Sequence, residues 1–170
     1  AAGPWHVVAR IDAPDPDAAA AQALEDLENG ATALSLVLPR APTAWGAGVA
    51  ASDVSTLDRA LAGVLLDLAP VRLEAGGAGR GAAALFAALA ERRGLDPAAI
   101  ELHAGLDPLG AYAATGVLSA PFAEVGRRLA DTVTALAAEG VRGTVATADG
   151  RPFHAAGSTD ATELAVVLSN

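Results

Sequence analysis

Side chains able to do acid–base, ligand or nucleophile chemistry are few in this chain. There are three histidines (His6, His103, His154), eleven arginines, and no cysteine or lysine. A zinc site normally takes three or four nitrogen or sulfur donors, often with a short-spaced pair. The histidines are scattered and form no H-x-x-x-H pair, so no metal site is expected. Without lysine there is neither a Schiff-base amine nor a P-loop ammonium. Without a G-x-S-x-G elbow, Ser158 reads as a helix-starting residue rather than a nucleophile.

His154 is the most suggestive candidate. It follows the turn Asp149-Gly150 and the aromatic Phe153, and precedes Gly157 and the helix-start cluster Ser158-Thr159-Asp160. Glu163 lies three residues after Asp160, the spacing of a capping box, and Leu164, Val167 and Leu168 then share one helical face. This order places His154 on a loop between a strand's C-terminal end and a helix, where α/β folds carry ligand-facing residues. His103, near the end of the preceding strand, can face the same rim, although a structural hydrogen bond is its simpler role. Asp107 reads as the cap of a turn at Pro108. The run Gly77-Ala-Gly79-Arg-Gly81 loosely matches a dinucleotide fingerprint. The partner acid expected about 20 residues on is not in place. That strand ends His103-Ala104, with Glu101 inside it and Asp107 beyond, so an ordinary tight βα loop is favoured. Arg80 in this loop could still meet a phosphate through its guanidinium fork.

The elements that must position these residues alternate. Strands are predicted at Trp5–Ile11, Ala33–Leu38, Val71–Ala75, Ile100–Ala104 and Thr144–Thr147. Helices follow over Ala18–Leu27 (capped by Asp15, with Pro16 first), over Leu57–Leu65 (opened by Ser55 and Asp58), over Ala82–Arg93, over Pro121–Glu139 and from about Ser158. Five consecutive βα units imply a parallel sheet with right-handed crossovers. A doubly wound sheet would be complete at this length, whereas a (β/α)8 barrel needs roughly 250 residues. Periodicity alone does not choose between them. The 170 residues are 52% hydrophobic but only 4% aromatic, so the core must be built from Ala, Leu and Val. The net charge of −9 argues against a nucleic-acid surface. No apolar run approaches the roughly 18 residues of a membrane span. The absence of cysteine fits a reducing, cytoplasmic setting.

The run Phe153-His-Ala-Ala-Gly-Ser-Thr-Asp-Ala-Thr-Glu-Leu-Ala165 resembles a segment of the methylmalonyl-CoA mutase family. The likeness extends through Trp5, Ala19-Ala-Ala-Gln-Ala-Leu-Glu-Asp-Leu-Glu-Asn-Gly-Ala31 and Leu34-Ser-Leu-Val-Leu38. It continues in Leu57-Asp-Arg-Ala-Leu-Ala-Gly-Val64, Val71-Arg-Leu-Glu-Ala-Gly76 and Glu91-Arg-Arg-Gly-Leu-Asp-Pro97. The resemblance implies isomerisation of methylmalonyl-CoA and succinyl-CoA by radicals from adenosylcobalamin. It also implies an α/β fold, here a partial (β/α)8 TIM barrel of about five βα units, with acyl-CoA threaded along the barrel axis. Nothing in the chain matches the family's D-x-H-x-x-G cobalamin motif. The expectation is that residues 1–170 are an N-terminal barrel fragment that binds no cobalamin itself. Its open sheet edges are expected to self-associate.

The chain departs from the catalytic pattern of the family in three places. The region Val7-Val-Ala-Arg-Ile11 lacks the expected active-site Tyr. The segment Gly105-Leu-Asp-Pro-Leu-Gly110 lacks the expected Gln and Asn-Asp. The span from His154 to Ala156-Gly157 is two residues short. These departures point to the small, non-catalytic (beta) subunit, partnered in a heterodimer with a catalytic chain that carries adenosylcobalamin. The alternatives are a competent mutase chain in which His154 donates to the substrate carbonyl, with Arg80 and His103 as substrate-binding candidates, and a nucleotide-binding doubly wound domain.

Overall fold

Four short strands, Val8–Ile11 (β1), Ala33–Val37 (β2), Val71–Glu74 (β3) and Leu102–His103 (β4), pair in chain order and all in parallel. The computed structural model describes residues 5–169. The helices are Pro16–Glu28 (α1), Val54–Ala60 (α2), Gly79–Arg92 (α3), Pro108–Thr115 (α4), Phe122–Ala138 (α5), Arg151–Ala155 (α6) and Asp160–Ser169 (α7).

The register separates the two faces of the sheet. Leu34, Val71 and Leu102 line up on one face, with Ile11, Leu36 and Leu73 one step along, and all of them are buried. Alternate positions point the other way, where Arg10, Ser35, Arg72 and His103 form a polar row across all four strands. The apolar face is covered by α1, α2 and α3, each touching the next. Their contacts are made by small residues, Ala19, Ala23, Ala60, Ala82, Ala83 and Ala90, around Leu57, Leu61, Leu89 and Phe86. Alanine has the highest helix propensity and lets a helix axis approach the sheet closely. A doubly wound sheet reverses its strand order and carries helices on both faces. Sequential strands with α1–α3 on one face instead fit part of a barrel wound in one direction, and the sheet offers no switch point for a dinucleotide.

Several boundaries differ from the sequence expectation. Residues 142–147 run parallel beside β4 but form only isolated bridges, Glu101 with Arg142 and Leu106 with Ala146, rather than a fifth regular strand. Gly143, at φ +115°, brings its backbone so close to Leu102 that no side chain fits there. Leu102, Ala104 and Leu106 still donate to the carbonyls of Arg142, Thr144 and Val145. The predicted loop at 105–110 winds into α4 at Pro108, with Asp107 accepting from Gly110 N–H at 2.7 Å. Helix α2 opens at Asp53 and not at Ser55: Asp53 accepts from Thr56 N–H, and Thr56 returns the bond to the Asp53 N–H. Helix α7 has no Asp160–Glu163 capping box, because Thr159 Oγ1 accepts from Thr162 N–H. The predicted caps at Asp15, with Pro16 in the first turn, and at Asn29-Gly30 stand as expected.

Arg93 joins α3 to the end of α2. Its Nε reaches Asp58 at 2.8 Å, while its Nη atoms donate to the carbonyls of Asp58, Leu61 and Val64. These carbonyls lie at a helix end, where the helix supplies no donors. Arg92 makes only a longer, exposed contact with Asp58 at 3.5 Å. Arg93→Ala is expected to lower unfolding stability by about 2 kcal/mol or more, and Arg92→Ala by about 0.5 kcal/mol or less. Equal urea midpoints for the two variants would show that the clamp carries no stability.

Candidate functional site

The C-terminal ends of β2 and β3 carry the most connected polar group of the described residues. Glu74, last in β3, sits with its side chain 12% exposed on the face opposite α1–α3. Ser35 Oγ donates to its Oε1 at 2.9 Å, and Thr43 Oγ1 donates to Oε2 at 2.6 Å. Arg151, from α6, donates to the same Oε2 at 3.2 Å. The guanidinium also holds Asp149 through Nε and Nη2, at 2.9 and 2.7 Å. Asp107 closes the group by accepting from Asp149 N–H at 2.7 Å. One half-buried carboxylate therefore joins β2, β3, the turn Pro42–Ala44 and the chain after β4.

The electrostatics follow from this geometry. Burial pushes the Glu74 carboxyl up, but the hydrogen bonds from Thr43 and Ser35 and the charge of Arg151 outweigh it and hold the group below the usual carboxylate range. Asp149 is lowered in the same way, with burial opposed by Arg151 and a contribution from Arg72. The Arg151 guanidinium is held still more firmly protonated by its bond to Asp149, against burial and with help from Glu74. The group fills most of the space above these strand ends. The gap among Arg72, Glu74, Asp107, Asp149 and Arg151 measures about 40 Å³, room for a few waters and nothing larger.

A second, larger cavity of about 430 Å³ opens beside it, between the turn Gly76–Ala78, the start of α3, α4 and α5. Arg40, Arg80 and Arg128 line it, with Leu106, Val125 and Leu129 among its apolar walls. Gly76 shapes its rim. At φ +52° a Cβ there would sit 2.7 Å from the Arg40 carbonyl, so this turn requires glycine.

The sequence candidates do not converge. His154 lies on α6 and not on a loop; its side chain is 75% exposed and its Nδ1 meets Glu163 Oε2 at 3.1 Å. It lines neither cavity. His103 has both ring nitrogens engaged, by Thr144 Oγ1 at 2.9 Å and Glu101 Oε1 at 3.2 Å, and so ties residues 142–147 to the sheet. His6 contacts Thr32 at the opposite end of the fold. Among the described residues no three His, Asp or Glu side chains gather to hold a metal ion. Of His6, His103, His154 and Arg80, only Arg80 reaches the wall of either cavity. Sequence reasoning missed Glu74, Asp149 and Arg151; the only local signal was a charged residue ending an otherwise buried strand.

One-directional parallel winding, with a polar site at the strands' C-terminal ends, makes this an α/β protein whose sheet fits part of a barrel. A family model described as methylmalonyl-CoA mutase matches residues 1–170, and the chain belongs to that family. It is 39% identical over 168 residues to a protein named methylmalonyl-CoA mutase small subunit from Streptomyces virginiae, a match covering 98% of this chain and 25% of that protein. The chain thus spans about a quarter of the length of the curated relative it matches.

The depressed Glu74 sets a pH dependence. A carboxyl lowered in the folded state stabilises at pH values above its unfolded value and loses that contribution as pH falls through the folded one. Wild type should therefore be more stable than Glu74→Gln at pH 7, with the difference shrinking steadily below about pH 4.5. Denaturant midpoints from pH 7 to 3 measure this. A difference between the two that is independent of pH would remove the charge from the explanation.

Proposed function

We propose that the chain is the N-terminal barrel part of the small, non-catalytic subunit of a methylmalonyl-CoA mutase, and that it contributes structure to a heterodimer with the catalytic subunit. The observation that carries this reading is the closed space over the strand ends. A substrate site needs roughly 300 Å³ or more; directly over the ends of β2 and β3 the Glu74–Arg151–Asp149 group leaves about 40 Å³, and the space of that size lies to one side, against α4 and α5. The absence of a Tyr from Val7–Ile11 and the outward position of His154 support the same reading. In this family adenosylcobalamin supplies the radical that starts the isomerisation. The residues of this chain do not fit that group, having neither the D-x-H-x-x-G motif nor a gathered donor set among the described residues. Residues 1–170 are therefore not proposed to hold cobalamin themselves. No helix among the described residues is long and apolar enough to cross a membrane.

The test is mutase activity and cobalamin content of the full-length chain, purified alone and with its catalytic partner. Activity is expected only from the pair, with cobalamin on the partner, and His154→Ala should leave the activity of the pair within about twofold. Turnover by this chain alone, or a His154→Ala loss of a hundredfold or so, would establish a competent active site instead.

The sheet edges generate a second expectation. Val7 and Val8 are about half exposed at the β1 edge, and 142–147 is irregular at the other. Unpaired parallel edges template association. Residues 1–170 in isolation should sediment as dimers or larger species, and Val8→Lys should shift them toward monomer. A monodisperse wild-type monomer would contradict this.

A further inference from the structure

We propose that the cavity between the Gly76–Ala78 turn, α4 and α5 binds an organic phosphate: a phosphoryl group carried on a compact apolar body. The proposal does not depend on the subunit reading. The chain is acidic, with a net charge of −9, yet three of its eleven arginines line this one cavity. Among the described residues Arg40 and Arg80 form no side-chain hydrogen bond or ion pair, so their guanidinium groups have donors to offer. Arg128 is oriented by Glu124, one turn earlier on α5. Asp107 is the sole acid on the wall, and its two oxygens already accept from Gly110 and Asp149 N–H at 2.7 Å each. The site is therefore cationic where the rest of the protein is not.

The remaining walls favour phosphate over other anions. Gly76 and Gly77 carry no side chain on the turn before α3, so a ligand can approach the backbone there, although the N–H groups of Ala78 and Gly79 are taken by the Ala75 and Gly76 carbonyls. Guanidinium forks suit phosphate oxygens, and several arginines around one cavity match the two charges of a phosphate dianion better than the single charge of a carboxylate. Leu106, Val125 and Leu129 receive the body of the ligand, and about 430 Å³ is the size of a small-molecule site.

Isothermal titration of the full-length chain with phenyl phosphate, inorganic phosphate, benzoate and benzyl alcohol tests the assignment. Phenyl phosphate should bind tightest, inorganic phosphate and benzoate more weakly, and benzyl alcohol not at all. Arg40→Ala and Arg80→Ala should each weaken phenyl phosphate roughly tenfold or more, the scale of one charge-assisted contact. Both side chains are exposed and unpaired, so their removal leaves the fold intact. Arg127→Ala, on α5 but outside the cavity, should change nothing. The proposal is overturned if phenyl phosphate gives no binding, or if the double variant Arg40→Ala/Arg80→Ala binds it undiminished. It is equally overturned if benzoate or inorganic phosphate binds as tightly.

Discussion

A carboxylate largely withdrawn from water must be paired or neutralised, and the fold meets that requirement at Glu74 by drawing three segments onto one side chain. Ser35 comes from β2, Thr43 from the turn after it and Arg151 from a helix beyond the sheet. None of these contacts is local, so together they fix the tertiary relation of the strand ends. The same arrangement determines what the site can hold. A face filled by its own ion pairs has no room for a large ligand, and the free volume is displaced sideways, to the cavity walled by α3, α4 and α5.

The opposite face obeys a different constraint. With a single buried aromatic, Phe86, among the described residues, its packing relies on many small contacts between alanine-rich helices and an aliphatic sheet. Close approach leaves little space for polar connections, which is why they concentrate at helix ends. Arg93 reaching across to carbonyls in the last turn of α2 and just beyond it is the clearest case. A planar fork can serve a carboxylate and several carbonyls at once, which a lysine ammonium does not do with the same geometry.

What was legible in the sequence was whatever is decided locally. Asp15 before Pro16, the Asn29-Gly30 stop and the apolar run of β2 each carry their reason within a few residues. The start of α2 was local too, but it offered two overlapping patterns, and Asp53 with Thr56 prevailed over Ser55 with Asp58. The direction of winding is a tertiary property that periodicity does not encode; the family resemblance supplied it. The fifth strand, expected over Thr144–Thr147, lies parallel to β4 but pairs with it through isolated bridges rather than a regular ladder. Glu163 was read as a cap by spacing alone, whereas its carboxylate meets His154. Glu74 was invisible as a site residue because its partners lie 31, 39 and 77 residues away.

The exclusive use of arginine for every cation has a chemical consequence. Acyl thioesters modify proteins mainly at side-chain amines, and these 170 residues contain none. The ion pair between Arg151 and Glu74 and the clamp of Arg93 on α2 therefore cannot be erased by acetylation or succinylation, which would neutralise a lysine in either place. Guanidinium resists both acylation and deprotonation, so the cationic contacts that hold this fold together persist in a medium rich in activated acyl groups.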